Sequence, residues 1–255
     1  MLIFILNKNL YTFSNLNKVK VINLQVENYE NIELIIFDCD GVLIDSEIIS
    51  AEVISKQFIK IGININTQYV QDHFVGQSYI KTKAHVLKHF GIHLADNFED
   101  EYRSELLNVF DKELKIIPGI ESILKNLNID KCVATSSSFN RATSSLKTVG
   151  IHEYLKDDIH SAYNLGSRGK PEPDIYLNCA KKFNVEVENV LVIEDSLIGI
   201  QGAKKAGMKV WHFTGASHLK HWDTNHKYEF EPDFVFNDMN NFFSYLPHLT
   251  NNSKG

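Results

Sequence analysis

Two patterns of apolar residues alternate along this chain, and the first clear one is the stretch 32–47, reading IELIIFDCDGVLIDSE. Ile32, Leu34, Ile35, Ile36 and Phe37 form an apolar run broken only by Glu33. A strand covered on both faces of a parallel sheet has this composition. The run stops on Asp38 and Asp40, followed by Gly41. Residues i and i+2 of an extended chain point the same way, so both acids are expected to face one space beyond the strand's C-terminal end. Gly41 permits a sharp turn there.

The pattern then changes. Ile49, Val53, Ile54 and Phe58 recur at the helical period, and helical patches follow at 70–74, 80–90 and 98–110, with Gly62, Gly76 and Gly91 between them. No strand pattern occurs between Ile48 and Lys115. One crossover between parallel strands rarely needs so much chain, so 48–115 reads as an inserted helical domain. Beyond Pro118 and Gly119 the alternation resumes. It predicts helices at 120–127, 137–149, 172–183 and 198–206, and strands at 131–135, 158–161, 189–193, 208–213 and 233–236. The expected fold is α/β, a doubly wound parallel sheet built from 32–47 and 116–255, carrying a helical cap at 48–115. Residues 1–31 are an N-terminal extension with little pattern. Its apolar start, Met1 to Leu6, is too short to span a bilayer and lacks the flanks of a signal peptide.

Composition narrows the function. The 255 residues suffice for a large core, and 26 basic against 32 acidic side chains give a net charge of −6. That balance offers no footprint for nucleic acid or an anionic membrane surface. Cys39, Cys132 and Cys179 are widely spaced in apolar surroundings. They read as buried thiols of a reducing, cytoplasmic environment, with no disulfide or zinc-site spacing.

Three later strand ends add polar groups. Thr135, Ser136, Ser137 and Ser138 follow the strand at 131–135, where hydroxyls and amides at a helix start suit a phosphate, although ordinary capping also accounts for them. The loop 166–174, GSRGKPEPD, mounts Lys170 directly before Pro171. Arg168 competes for the same role, but the prolines hold Lys170 more tightly. The strand at 189–193 ends in Glu194, Asp195 and Ser196, repeating the acidic ending at Asp38. Carboxylates at two strand ends of one sheet call for a cation. Mg²⁺, an oxygen-seeking ion, fits a partial shell of Asp38, Asp195, the Asp40 carbonyl and the adjacent Glu194.

The pieces DCDGVL at 38–43, Thr135-Ser136, KPEPD at 170–174 and IEDS at 193–196 with Gly199 together resemble the haloacid dehalogenase-like hydrolases, in the subgroup related to β-phosphoglucomutase. Asp45-Ser46-Glu47 and the stretch 109–114 look closest to bacterial phosphatases acting on 6-phosphogluconate. The resemblance implies an Mg²⁺-dependent phosphatase for a small phosphorylated metabolite. Asp38 would attack phosphorus, and Asp40 would protonate the leaving alcohol and then deprotonate water. Thr135, Ser136 and Lys170 would bind the phosphoryl group. Members that isomerise hexose phosphates carry a histidine and an arginine where Ser50 and Tyr79 stand here, which weakens a mutase reading. Neither substrate nor oligomeric state is legible in the pattern. A catalytically idle binding protein on the same fold is opposed by the presence of Asp38, Asp40, Lys170 and Asp195 together.

Overall fold

The computed structural model describes residues 29–74, 79–156, 158–162 and 168–251, and the backbone of two short strands near the N-terminus. Those strands, β1 (Phe4–Leu6) and β2 (Asn9–Tyr11), pair antiparallel with Phe4 opposite Tyr11. The rest of the extension up to residue 28 lies outside the described residues, as does the turn glycine Gly76.

The apolar run at 32–37 supplies β3 (Leu34–Phe37), all of it buried. It lies inside a six-stranded parallel sheet with β4 (Asp130–Thr135), β5 (Ile159–Ser161), β6 (Val190–Glu194), β7 (Lys209–Phe213) and β8 (Phe234–Phe236), in the order β5-β4-β3-β6-β7-β8. The chain winds from β3 out through β4 to β5, then returns to the other side of β3 for β6. The strand order therefore reverses at β3, where an open α/β sheet forms its ligand crevice. Phe37 is in register with both Val133 and Ile193, so the residues that follow on three strands emerge side by side.

Burial on both faces follows from the alternation within β3. Ile35 and Phe37 enter one core with Leu43, Ile120, Leu146 and Trp211, while Leu34 and Ile36 enter another with Cys132, Ile175, Tyr176 and Val210. Helices α5 (Ile120–Asn126) and α6 (Phe139–Thr148) contribute to the first core, and α7 (Asp174–Phe183) and α8 (Leu197–Lys205) to the second. A short helix, α9 (Phe242–Tyr245), adds Phe242 to the first.

Between β3 and β4 the helical stretch forms α1 (Glu47–Lys60), α2 (Thr67–His73), α3 (Tyr79–Phe90) and α4 (Phe98–Glu113). These helices bury a cluster of their own, Ala51, Ile54, Phe58, Val70, Val86 and Phe98 among them, distinct from both sheet cores. Phe58 stacks on Phe98 with ring centroids 5.3 Å apart and tilts against Phe74 at 5.4 Å. Two adjacent straps join this unit to the sheet. Asp45 N–H donates to the Lys115 carbonyl at 2.9 Å, and Ile117 N–H to the Leu43 carbonyl at 3.0 Å. The helix boundaries sit within a few residues of those the periodicity predicts. The strand at 158–161 shortens to Ile159–Ser161, as befits an edge strand with one neighbour to template it.

Phe58 has no exposed surface. Its replacement by alanine should cost about 3–5 kcal/mol, the usual range for deleting a buried aromatic side chain. Chemical denaturation followed by far-ultraviolet circular dichroism measures this, and a loss below about 1 kcal/mol would contradict the separate helical core.

Candidate active site

Three strand ends converge on one ammonium group. Lys170 Nζ lies 2.5 Å from Asp38 Oδ1 at the end of β3, 2.5 Å from Glu194 Oε1 at the end of β6, and 3.0 Å from the Ala134 carbonyl in β4. Its side chain is 3% exposed. Burial alone would drive off its proton, but Asp38 and Glu194 more than reverse that and hold it well above the usual lysine range. Arg168, the competing cation, keeps 72% of its side chain exposed and pairs with Glu172 and Asp174.

Glu194 is fully buried and saturated with donors. Its Oε1 accepts from Lys170 and, at 2.8 Å, from the Tyr176 hydroxyl on α7; its Oε2 accepts from Ser196 N–H at 3.2 Å and Ser196 Oγ at 3.0 Å. The seat requires a glycine opposite: a Cβ on Gly199 would come 2.0 Å from the Glu194 carboxyl carbon. Gly41 does the same for the other acid. Its φ is +83°, and a Cβ there would fall 1.9 Å from Asp195 Oδ2, so both backbone conformation and space exclude a side chain.

Carboxylate oxygens of Asp38, Glu194 and Asp195 all lie within 4.8 Å of one another. Burial raises Asp38 well above the ordinary carboxylate range, against the pull of Lys170, with Glu194 and Asp195 adding to the rise. Asp195 is raised for the same reason: burial first, then Glu194. A carboxylate beside an ammonium would ordinarily be lowered, but here burial, reinforced by the neighbouring acids, outweighs Lys170. The donor set, hard oxygens crowded and short of positive charge, fits a divalent ion such as Mg²⁺. Asp195 is further fixed by neighbours that pattern does not identify. His218 Nε2 lies 3.1 Å from its Oδ2, and the buried His212 bonds its carbonyl at 3.0 Å. Burial keeps His212 neutral, its pKa lowered to about 4.

Asp40 occupies a separate pocket toward the helical unit. Ser46 Oγ donates to its Oδ1 at 2.6 Å, Ser137 Oγ to its Oδ2 at 2.7 Å, and Arg141 Nη2 of α6 to its Oδ1 at 2.9 Å. Burial pushes Asp40 up, but Arg141 and the two hydroxyls more than offset it, leaving its pKa below the ordinary value. Arg141 is itself backed by the Phe110 ring of α4, 5.6 Å from its guanidinium carbon. The hydroxyl run is divided in use. Thr135 is buried and its Oγ1 accepts from Ser137 N–H at 3.0 Å, Ser136 is exposed, and Ser138 caps α6 by accepting from Arg141 N–H. Glu47, at the start of α1, is pushed up to about 7 by burial, with Asp40 and Asp195 adding to the rise. Ser50 lies buried one turn further along α1 beside Tyr102, and Tyr79 stacks on Phe98 within the helical unit. Around Asp40, the sequence reading gives no individual role to Ser137 or Arg141. The serine run was the available signal for the first. For the second, Arg141 is the only cation in α6 before its last turn.

A sequence profile of haloacid dehalogenase-like hydrolases matches residues 32–207. The chain belongs to that family. It is accordingly an enzyme of the hydrolase class. The 6-phosphogluconate phosphatase of Escherichia coli is 33% identical over 190 residues, covering 74% of this chain and 86% of the relative. A phosphorylated carbohydrates phosphatase of Thermotoga maritima is 29% identical over 184 residues, covering 69% of this chain and 82% of the relative. Among solved structures, a haloacid dehalogenase-like protein of unknown function from Agrobacterium tumefaciens superposes with a TM-score of 0.71 at 34% identity, covering 85% of this chain and 98% of its own. A putative β-phosphoglucomutase from Thermotoga maritima shares the fold, with a TM-score of 0.65 at 24% identity, covering 86% of this chain and 100% of its own.

Gly199→Ala tests the seat of Glu194. Alanine within a helix is favoured by about 1 kcal/mol over glycine, yet overpacking costs about 1–3 kcal/mol, and the 2.0 Å approach makes the second effect win. Turnover should fall about 100-fold as Glu194 and Lys170 shift. A variant with unchanged turnover would show that the position of Glu194 is unimportant.

Proposed function

We propose that this enzyme is a Mg²⁺-dependent phosphatase that hydrolyses a phosphorylated sugar acid of the 6-phosphogluconate type. The observation that carries the reading is the Lys170 ammonium held between Asp38 and Glu194, with Asp195 alongside, at the reversal point of the sheet. Similarity to phosphatases of sugar phosphates and of 6-phosphogluconate supports it. Asp38, Asp195 and the Asp40 carbonyl would hold the ion, which when bound supplies positive charge to the phosphoryl oxygens. Glu194, with its oxygens already shared among Lys170, Tyr176 and Ser196, would complete the charge of the site chiefly by fixing Lys170.

The protein groups account for the two steps. Asp38 attacks phosphorus, forming an acyl-phosphate bond as the bond to the leaving oxygen breaks; Asp40 gives that oxygen its proton. Water then attacks the phosphoryl group, Asp40 takes the proton back, and phosphate leaves with Asp38 restored. Lys170 with the amides and hydroxyls of Thr135 and Ser136 would spread the phosphoryl charge. The helices of 48–115 would act as a cap over Asp40 and the leaving group, since Phe110 of α4 backs Arg141.

Arg141 supports a substrate with a carboxylate. It is a partly exposed cation, with 19% of its side chain in contact with solvent, beside the leaving-group acid, and among the described residues its ion pair is with Asp40. A substrate carboxylate can accept from guanidinium donors that Asp40 leaves open. Drawing Arg141 away from Asp40 would also remove the strongest influence that keeps Asp40 ionised, and so favour the proton-donating form. Ser50 and Tyr79 offer no cation for a second phosphate, which favours hydrolysis over phosphate transfer between two positions of one sugar.

Phosphate release from 6-phosphogluconate should require Mg²⁺ and vanish with chelator, and Asp38→Asn should abolish it. Asp40→Asn should lose about 10²–10⁴-fold on the sugar-acid phosphate but less on an aryl phosphate, whose leaving group needs no proton. An undiminished rate on 6-phosphogluconate would remove Asp40 from the mechanism.

Arg141→Ala should cut kcat/KM for 6-phosphogluconate about 10–150-fold, the equivalent of the roughly 1.5–3 kcal/mol of a charged hydrogen bond. The loss on glucose 6-phosphate, which lacks the carboxylate, should be smaller. Equal losses on both would show that Arg141 serves only to hold Asp40.

A further inference from the structure

A second cluster of potential metal ligands lies in the core on the other side of β4. Cys132 of β4, Cys179 of α7 and His160 of β5 place two thiol sulfurs and a ring nitrogen within 4.8 Å of one another. Spacing along the chain gives no hint of it, because the three positions come from three separate elements. Ligands about 2.0–2.3 Å from a common ion stand roughly 3.5–4 Å apart, so this set needs little movement to close on one.

Two further observations point to a ligand. His160 Nε2 is sealed from solvent and has no hydrogen-bond partner, an arrangement that costs free energy in an otherwise apolar core. Burial, and then the charge of Lys182, hold the His160 pKa below its usual value, so the imidazole is neutral, the form that ligates. The sulfurs lie among Leu34, Ile36 and Ala134, with no exposed surface on either cysteine. In such surroundings two thiolates and one divalent cation sum to zero charge, whereas a lone thiolate would be unstable. The Cys132 thiol is accordingly pushed well up by burial, with Cys179 next.

We propose that Cys132, His160 and Cys179 form a site for a thiophilic metal ion, distinct from the acidic crevice at Asp38. Sulfur and imidazole select soft or borderline cations over Mg²⁺, so the two sites sort ions by ligand chemistry. Entry is from the sheet's edge. β5 is the terminal strand, and His160 is partly exposed. A bound ion ties β4, β5 and α7 together next to the loop that presents Lys170.

Cd²⁺ is a suitable probe, because its thiolate complexes absorb in the ultraviolet and its oxygen complexes do not. With excess Mg²⁺ present, Cd²⁺ added to the folded protein, or during refolding, should produce a charge-transfer band saturating at one equivalent and a higher Tm. The band should disappear in the Cys132→Ser/Cys179→Ser double variant. His160→Gln, which leaves both thiols in place, should weaken binding at least tenfold. Absence of the band in the wild-type protein would overturn the proposal. So would its persistence in the double variant, which would trace it to Cys39, or unchanged affinity in His160→Gln. Should the double variant fail to fold, the wild-type titration and His160→Gln decide alone.

Discussion

One buried ammonium governs the candidate active site. Lys170 touches Asp38, Glu194 and the Ala134 carbonyl, so three neighbouring strands meet through a single side chain. Without it, three crowded carboxylates would lose the ammonium that lies among them, in a crevice where each keeps less than a tenth of its surface exposed. Breaking one side of a buried ion pair typically costs about 3–5 kcal/mol. Here the same loss would leave Asp38 and Glu194 uncompensated together. The prolines that follow Lys170, the glycine that makes room for Glu194 and the Tyr176 hydroxyl that shares its oxygen all serve to keep this contact in place.

The crevice divides its charge between two compartments. On one side, Asp38 and Asp195 are raised by burial, with the neighbouring acids adding to the rise; on the other, Asp40 is lowered by Arg141 and two hydroxyls against the effect of burial. Two aspartates only two residues apart thus meet opposite environments. The turn at Gly41 allows this by ending the strand abruptly, so that the second acid faces the helical unit while the first stays with the sheet. Under the proposed mechanism these directions must be reversed during the reaction: a cation beside Asp38 and Asp195 would favour the Asp38 anion, and drawing Arg141 away would let Asp40 hold a proton.

The sheet was legible because its strands are buried on both faces, and a run such as Val190 to Ile193 has few other readings. Lys170 stood out over Arg168 because Pro171 follows it directly, and the fold buries one and exposes the other. Period and composition identify an element but not its rotation about its own axis. That is why Arg141 went unseen: it lies 101 residues from Asp40, and only the setting of α6 brings them together. His212 and His218 escaped for a similar reason. One reads as an ordinary inward strand residue, and the other sits in a loop whose course no pattern encodes. The hydroxyl run at 135–138 was legible as a group, but the division of labour within it depends on a single turn of backbone.

The two straps at 45 and 115–117 bear on how such a molecule changes over time. Because the helical unit leaves and rejoins the sheet at neighbouring points, its interior can be rebuilt without disturbing the register of β3 against β4. Lengthening it is also inexpensive for the core, since each doubling of a closed loop adds only about 0.6 kcal/mol of entropic cost. The unit also carries its own apolar centre, so its packing does not depend on the residues of the sheet cores. Descent can vary the helical unit while the strand ends that gather Asp38, Lys170 and Glu194 stay in register.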